Sequence, residues 1–184
     1  MGAGTGATVG KLMGPATCMK AGLGAAAVAL GPVKVGAVVS VNACGNVIDP
    51  TTGEWVAGMR ATADSDQIVD MELAAFAAAG SMQMPLDRTN TTISCIVTNM
   101  ELTKARATKV SQMAADATRT PSAPHTPPTT ATPSTPLPAA NWEPGKRRRS
   151  PRPAGYARSK ALEAAIVNGA KTAKTSHGIP GAAK

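Results

Sequence analysis

The chain has 184 residues, enough for one domain, but only one Phe, one Tyr and two Trp, so small aliphatic residues and Met must build its core. The net charge of +8 is mostly local, and the tract that carries much of it lacks interleaved aromatic residues, so we expect no nucleic-acid partner. The positive charges of that tract are Lys146, Arg147, Arg148, Arg149 and Arg152.

No segment has the uninterrupted apolar length of a membrane span or the pattern of a signal peptide, so we expect a cytoplasmic protein without a membrane partner. The cysteines at 18, 44 and 95 form neither a CxxC motif nor Cys/His pairs. We therefore expect no zinc site or other metal and no disulfide framework, and we interpret the three cysteines as small buried thiols.

The first half of the chain predicts strands separated by turns. Apolar runs at 25–30 and 35–41 flank the turn residues Gly31 and Pro32, and a further strand is expected at 47–49. The Ala-rich segment 66–79 predicts a helix.

A strand is expected at 91–98, followed by a helix over 104–116 that Thr103 caps. Helical spacing gives this helix a predicted apolar face. Its members are Leu102, the aliphatic stem of Arg106, Val110, Met113 and Ala117.

Composition divides the chain into three regions. Residues 1–116 predict a globular α/β domain, whereas 117–155 are rich in Thr, Pro and then Arg, which indicates a disordered low-complexity tract. Residues 156–184 regain ordinary composition, and 161–167 predict a short helix that ends at Asn168–Gly169.

The Gly-rich segment 2–11 does not fit a nucleotide-binding loop. A phosphate loop needs a Gly where Thr5 stands and a Ser or Thr where Leu12 stands, and the dinucleotide pattern lacks its third Gly. We therefore expect a glycine-rich loop that places Lys11 near other backbone.

Three blocks in this order resemble the DmpA-type aminopeptidases, the family of L-aminopeptidase/D-esterases, β-aminopeptidases and nylon-oligomer hydrolases. The blocks are residues 2–11, 38–45, and 90–93 together with 102–105. The resemblance implies an αββα sandwich, here incomplete because the family has a portion before the Gly-rich block. It also implies several assembled protomers, and no organic cofactor or metal.

The resemblance also implies site residues. The family's precursor cuts itself before a Ser or Thr, which places the cut at Asn90–Thr91 and makes Thr91 the nucleophile. Lys11 matches an active-site lysine, and Asn42 matches an asparagine that supports the oxyanion. The residues alone leave open a strand threonine at Thr91, a solvated loop lysine at Lys11 and a turn or strand-end residue at Asn42.

The chain departs from the family after the helix that follows Thr103. An Asp-Gly-Asp-Thr motif is expected there, but residues 128–133 read Pro-Thr-Thr-Ala-Thr-Pro. Codons for Thr, Pro, Ala and most Ser share cytosine at the second base, and a one-base shift across 128–133 permits Tyr-Asp-Gly-Asp-Thr. We therefore hypothesise a frameshift from about Ala117 to about residue 155.

These observations give one expected function and two alternatives. The expected function is a self-processing amidohydrolase or aminopeptidase that acts on small peptides, amino-acid amides or esters, or aliphatic amides. The alternatives are an inactive truncated or frameshifted fragment of such an enzyme and a basic disordered binding protein.

Overall fold

The structure, a computed structural model, describes residues 2–78, 90–117, 122–123, 137–138 and 151–183. Six strands precede the first helix, and this part of the chain is mixed helix and strand as the sequence predicts. In chain order they are β1 (Thr8–Val9), β2 (Met19–Lys20), β3 (Leu23–Leu30), β4 (Val33–Ser40), β5 (Asn46–Ile48), β6 (Trp55–Ala57), α1 (Met71–Ala78), β7 (Ile93–Thr98), α2 (Lys104–Ala117), β8 (Ser122–Ala123), β9 (Leu137–Pro138) and α3 (Pro151–Lys171).

A four-stranded sheet in the order β3-β4-β7-β9 is the centre of the fold. The predicted hairpin is confirmed: β3 and β4 pair antiparallel, and Gly31 takes a φ of 57° in the turn. Strand β7 pairs antiparallel with β4, and β9 adds to β7 in parallel. Two smaller sheets, β1-β2 and β6-β5-β8, lie outside it.

The strand predicted at 91–98 is confirmed in type but begins at Ile93. Its last pair with β4 joins Ser40 to Ile93. Thr91 and Thr92 therefore precede the strand, and the expectation that they lie in it is wrong.

Helix α3 covers one face of the central sheet. Its buried residues Leu162 and Ile166 belong to the same core as Val35, Val39 and Ile96. The helix predicted at 161–167 is therefore present within a longer element of 21 residues.

The predicted end of α3 at Asn168–Gly169 is wrong, because the helix continues to Lys171. Gly169 instead lies where α3 packs tightly on β3. A Cβ added to Gly24 would meet the Ala165 carbonyl oxygen at 1.9 Å, and one added to Gly169 would meet the Gly24 nitrogen at 3.0 Å. Glycine at both positions lets helix and strand backbones touch.

Helix α1 lies within the predicted 66–79 but begins at Met71. Asp70 caps it, since its Oδ1 accepts hydrogen bonds from the backbone nitrogens of Glu72 at 2.9 Å and Leu73 at 3.2 Å. The expected start at 66 is wrong because Ile68 forms a β-bridge with Arg60 instead.

Helix α2 matches its predicted bounds, and Thr103 caps it by accepting a hydrogen bond from the Arg106 nitrogen at 3.4 Å. Its predicted apolar face is partly wrong, because Arg106 and Met113 are exposed. Val110 and Ala114 are the buried residues, and Ala114 joins the main core.

The face of the central sheet opposite α3 is apolar but exposed. Leu23, Val38 and Ile93 lie on it with 56%, 40% and 56% of their surface accessible. An antiparallel sheet with one solvated face normally alternates apolar and polar residues. Apolar residues on both faces are typical of a sheet covered on both sides.

The tract predicted at 117–155 lies largely outside the described residues, so its disorder stays a prediction. Strands β8 and β9 and the first residues of α3 fall within it. Of the three cysteines, Cys18 is buried as predicted, whereas Cys44 and Cys95 are half-buried. No helix among the described residues is both long and apolar enough to cross a bilayer.

Candidate active site

The Gly-rich segment docks on the chain that follows β4. The Gly10 nitrogen donates to the Gly45 oxygen at 3.0 Å, and the Lys11 nitrogen donates to the Cys44 oxygen at 2.9 Å. Gly10 has a φ of 71°, and a Cβ there would lie 2.1 Å from the Gly58 carbonyl carbon. Only glycine fits this position, which fixes the start of the Lys11 side chain.

Lys11 and Asn42 are in direct contact. The Lys11 Nζ donates to the Asn42 Oδ1 at 2.5 Å, and the Thr8 backbone nitrogen donates to the same oxygen at 3.2 Å. Both partners are pure donors, so the atom between them is the amide oxygen. Because the amide is planar, holding Oδ1 also fixes the direction of the Nδ2 donor.

The chain that carries Thr91 runs beside Asn42. The Asn42 backbone nitrogen donates to the Thr92 Oγ1 at 3.2 Å. If the β4–β7 register, which ends at Ser40 and Ile93, continued by two positions, Asn42 would stand opposite Thr91. Asn90 precedes Thr91, and its buried Oδ1 has no hydrogen-bond partner within the part of the chain that the structure describes.

Burial sets the charge state of the groups around Lys11. Removal from water lowers the pKa of Lys11, and the nearby thiols of Cys18 and Cys44 oppose this by favouring the ammonium. Burial raises the pKa of both thiols, which Lys11 partly offsets. Lys11 is thus a half-buried cation whose proton is held less tightly than that of a surface lysine.

The structure brings the three sequence blocks together around Asn42. Lys11 is not a solvated loop lysine, as one alternative held, and Asn42 makes specific contacts on both its side chain and its backbone. The roles of Lys11, Asn42 and Thr91 in catalysis and of Asn90 in self-cleavage are not decided by this geometry.

Sequence reasoning missed two contributors to the site. The Thr8 backbone nitrogen gives no signal in a sequence, because every residue except proline has one. Thr92 was visible only as the second threonine of Asn-Thr-Thr-Ile. Among the described residues, no cluster of three or more His, Cys, Asp or Glu could hold a metal ion.

No protein-family model matches this sequence, and no curated protein matches it. Solved structures do match. A β-aminopeptidase from a Burkholderia species superposes with a TM-score of 0.51 at 20% identity, covering 97% of this chain and 48% of that one. The L-aminopeptidase D-Ala-esterase/amidase from Ochrobactrum anthropi gives a TM-score of 0.52 at 14% identity, with 98% and 48% covered.

The Ochrobactrum structure is described as a prototype for the serine aminopeptidases and as a variant of the N-terminal-nucleophile hydrolase fold. This chain spans about half the length of each of these two structures. The resemblance expected from the three sequence blocks is thereby confirmed at the level of the fold: the chain has the fold of the DmpA-type N-terminal-nucleophile hydrolases over about half their length.

Proposed function

We propose that this chain is a self-processing N-terminal-nucleophile amidohydrolase with Thr91 as its nucleophile. The observation that carries the proposal is the 2.5 Å contact between the Lys11 Nζ and the Asn42 Oδ1, next to the chain that leads from Thr91 into β7. A cation and an oriented amide beside a threonine are the groups that acyl transfer needs.

Self-cleavage would proceed by attack of the Thr91 Oγ on the carbonyl carbon of Asn90. The peptide nitrogen of Thr91 leaves as an amine and takes up the hydroxyl proton, so an ester joins Asn90 to the Thr91 oxygen. Water then hydrolyses this ester. The products are a carboxylate at Asn90 and a free α-amine at Thr91.

The mature reaction would use the new amine as a base. An α-amine has a pKa of about 7.7–8.0, so it can take the proton of its own hydroxyl near neutral pH. The Asn42 Nδ2 donates to the oxyanion, and the Lys11 cation holds the Asn42 amide and adds positive charge beside it. Water releases the acyl group from Thr91.

The substrates follow from this chemistry. We propose small peptides, amino-acid amides or esters, or aliphatic amides, cleaved without a metal or organic cofactor. The named activities of the two matched structures, β-aminopeptidase and L-aminopeptidase D-Ala-esterase/amidase, support this class. Assembly of several identical protomers in the cytoplasm belongs to the same proposal.

Intact-mass measurement of the purified full chain tests the proposal. We expect two pieces, residues 1–90 and 91–184, and an intact chain for Thr91→Ala. Thr91→Ser keeps a hydroxyl and should still cut. Thr51→Ala, at an exposed turn, is the matched control and should cut like the wild type.

A single uncut mass for the wild type would contradict the proposal and favour an inactive fragment. Cutting that persists in Thr91→Ala would indicate an outside protease. Binding of nucleic acid through the basic run is a separate possibility, and that run lies outside the described residues except for Arg152 in α3. Nucleic-acid binding that is absent, or that does not weaken as the salt concentration rises, would exclude this function.

A further inference from the structure

We propose that Thr92 is a positioning residue, whose hydroxyl holds the chain at Thr91 against Asn42. This inference rests on the proposed function, because the reaction it serves is attack by Thr91. It assigns different tasks to the two adjacent threonines. Thr91 supplies the attacking oxygen, and Thr92 supplies the anchor.

The anchor is visible as a contact just beyond the sheet. Strands β4 and β7 stop pairing at Ser40 and Ile93. Beyond that pair, the Asn42 backbone nitrogen donates to a side-chain oxygen, the Thr92 Oγ1, at 3.2 Å. Both residues are half-buried, so solvent competes with this bond less than at an exposed site.

A side-chain anchor suits a peptide that must move. Attack by the Thr91 Oγ on the Asn90 carbonyl closes a five-membered ring and requires rotation about the backbone bonds of Thr91. A residue paired on both sides within a ladder is fixed in the extended conformation. Anchoring through the Thr92 hydroxyl keeps the chain in register and leaves Thr91 beyond the last ladder pair.

The hydrogen bond between Asn42 and Thr92 also connects the segment that carries the proposed nucleophile, Thr91, to the residue proposed to stabilise the oxyanion. Asn42 is held at its side chain by Lys11 and Thr8 and at its backbone by Thr92. Thr92 is therefore the link between the segment carrying Thr91 and the amide proposed to receive the charge. Loss of that link should displace Thr91 relative to the Asn42 Nδ2 without unfolding the sheet.

Thr92→Val and Thr92→Ser in the full chain test this link. Valine keeps the shape and removes the hydroxyl, whereas serine keeps the hydroxyl. We expect Thr92→Val to slow self-cleavage, followed by intact mass over time, by about tenfold, because Thr91 is then held less accurately against Asn42 when it attacks. Thr92→Ser should restore most of the rate. The melting temperatures should lie within about 4 °C of each other, because one hydrogen bond contributes only about 1 kcal/mol to stability.

Two further readouts separate positioning from a merely structural role. In mature enzyme, Thr92→Val should lower kcat toward an amino-acid anilide and leave KM unchanged. In a Thr91→Ala background, where no variant is cut, hydrogen exchange at the Asn42 amide should rise for Thr92→Val and stay slow for Thr92→Ser.

The outcomes distinguish this inference from the proposed function. If the wild type cuts itself and Thr92→Val cuts at the same rate, the role of Thr92 is overturned and the proposed function stands. If Thr92→Ser is as slow as Thr92→Val, the hydroxyl is not responsible and the inference also fails. An uncut wild type overturns the proposed function and, with it, this role for Thr92.

Discussion

Two buried guanidinium groups show how differently the fold treats the same residue type. Arg60 donates to the backbone oxygens of Ala16, Ala63 and Ser65. Arg158 on α3 is 1% exposed, and its three nitrogens have no hydrogen-bond partner among the described residues. Burial lowers the pKa of Arg158 to about 10, so it remains charged at neutral pH.

Arg158→Met should therefore stabilise the chain at pH 7, by roughly 1–4 kcal/mol, because it replaces a buried charge that has no partner among the described residues with an apolar side chain of similar length. Since the folded-state pKa lies below the unfolded one, wild-type stability should rise with pH only above about pH 10. Urea midpoints at pH 7 measure the difference between the two chains.

Arg60→Met is the matched control and should destabilise the chain, because it leaves three backbone carbonyl oxygens without their hydrogen-bond donor. If Arg158→Met and Arg60→Met lower the free energy of unfolding by the same amount, Arg158 has a stabilising partner in the folded protein.

At the scale of elements, the contact between α3 and β3 organises the domain. The glycines at 24 and 169 allow backbone contact, and the Asn168 Nδ2 donates to the Ala25 oxygen at 3.1 Å on the same strand. Further along the helix, the Lys171 Nζ pairs with the Asp49 Oδ2 at 2.8 Å. The last two turns of α3 are thus tied to two parts of the chain.

Gly169→Ala should destabilise the chain, although the same change within an exposed helix stabilises by up to about 1 kcal/mol. An added Cβ would lie 2.9 Å from the Val41 Cγ2 and 3.0 Å from the Gly24 nitrogen, and backbone cannot yield as a side chain does. Chemical denaturation of the wild type and Gly169→Ala measures whether the free energy of unfolding falls or rises. Ala164→Gly, at an exposed position of α3, controls for helix propensity and should cost about 1 kcal/mol.

The sequence predicted elements whose signals are local. The hairpin of β3 and β4 follows from two apolar runs around Gly31, and the start of α2 follows from Thr103. The end of α3 was not predictable, since Asn-Gly usually ends a helix and only the partner Gly24 makes Gly169 an interior residue.

The residue types of the candidate site were predictable from the sequence, but the hydrogen bonds that connect them were not. Block resemblance selected Lys11, Asn42 and Thr91. The contacts that join the blocks depend on strand register and on backbone donors, as at Thr8 and Thr92. Neither is encoded in a pattern of residue types along one chain.

At the scale of the whole molecule, the central sheet and the helix α3 on one of its faces match two adjacent layers of the four-layer αββα sandwich. Helix α3 packs on one face of the central sheet, and the opposite face bears Leu23, Val38 and Ile93. In an αββα sandwich, a second sheet packs on such a face about 10 Å away. The apolar face opposite α3 is therefore of the kind that a second sheet covers, and the chain spans 48% of each of the two solved structures.

The packing of α3 also bears on the frameshift hypothesis. Among the side chains of α3 that the structure describes, those of Ala157, Leu162 and Ile166 are buried in the core. An apolar stripe at helical spacing is what a helix packed on a sheet requires. The buried stripe is consistent with an original reading frame from Ala157 onward, and the return near residue 155 stays a prediction.

The nucleotide sequence of the gene tests this directly. We expect the codons for 128–133, read from the last base of each codon, to encode Tyr-Asp-Gly-Asp-Thr, and the shifted frame to close near 155. Carboxylates restored there could orient the Thr91 amine and adjust its pKa, so a frame-corrected protein should hydrolyse amides faster than this chain. If the shifted frame does not encode Asp-Gly-Asp, the frameshift hypothesis is wrong and residues 117–155 are a genuine linker. Any measured activity would then come from the present sequence without those carboxylates.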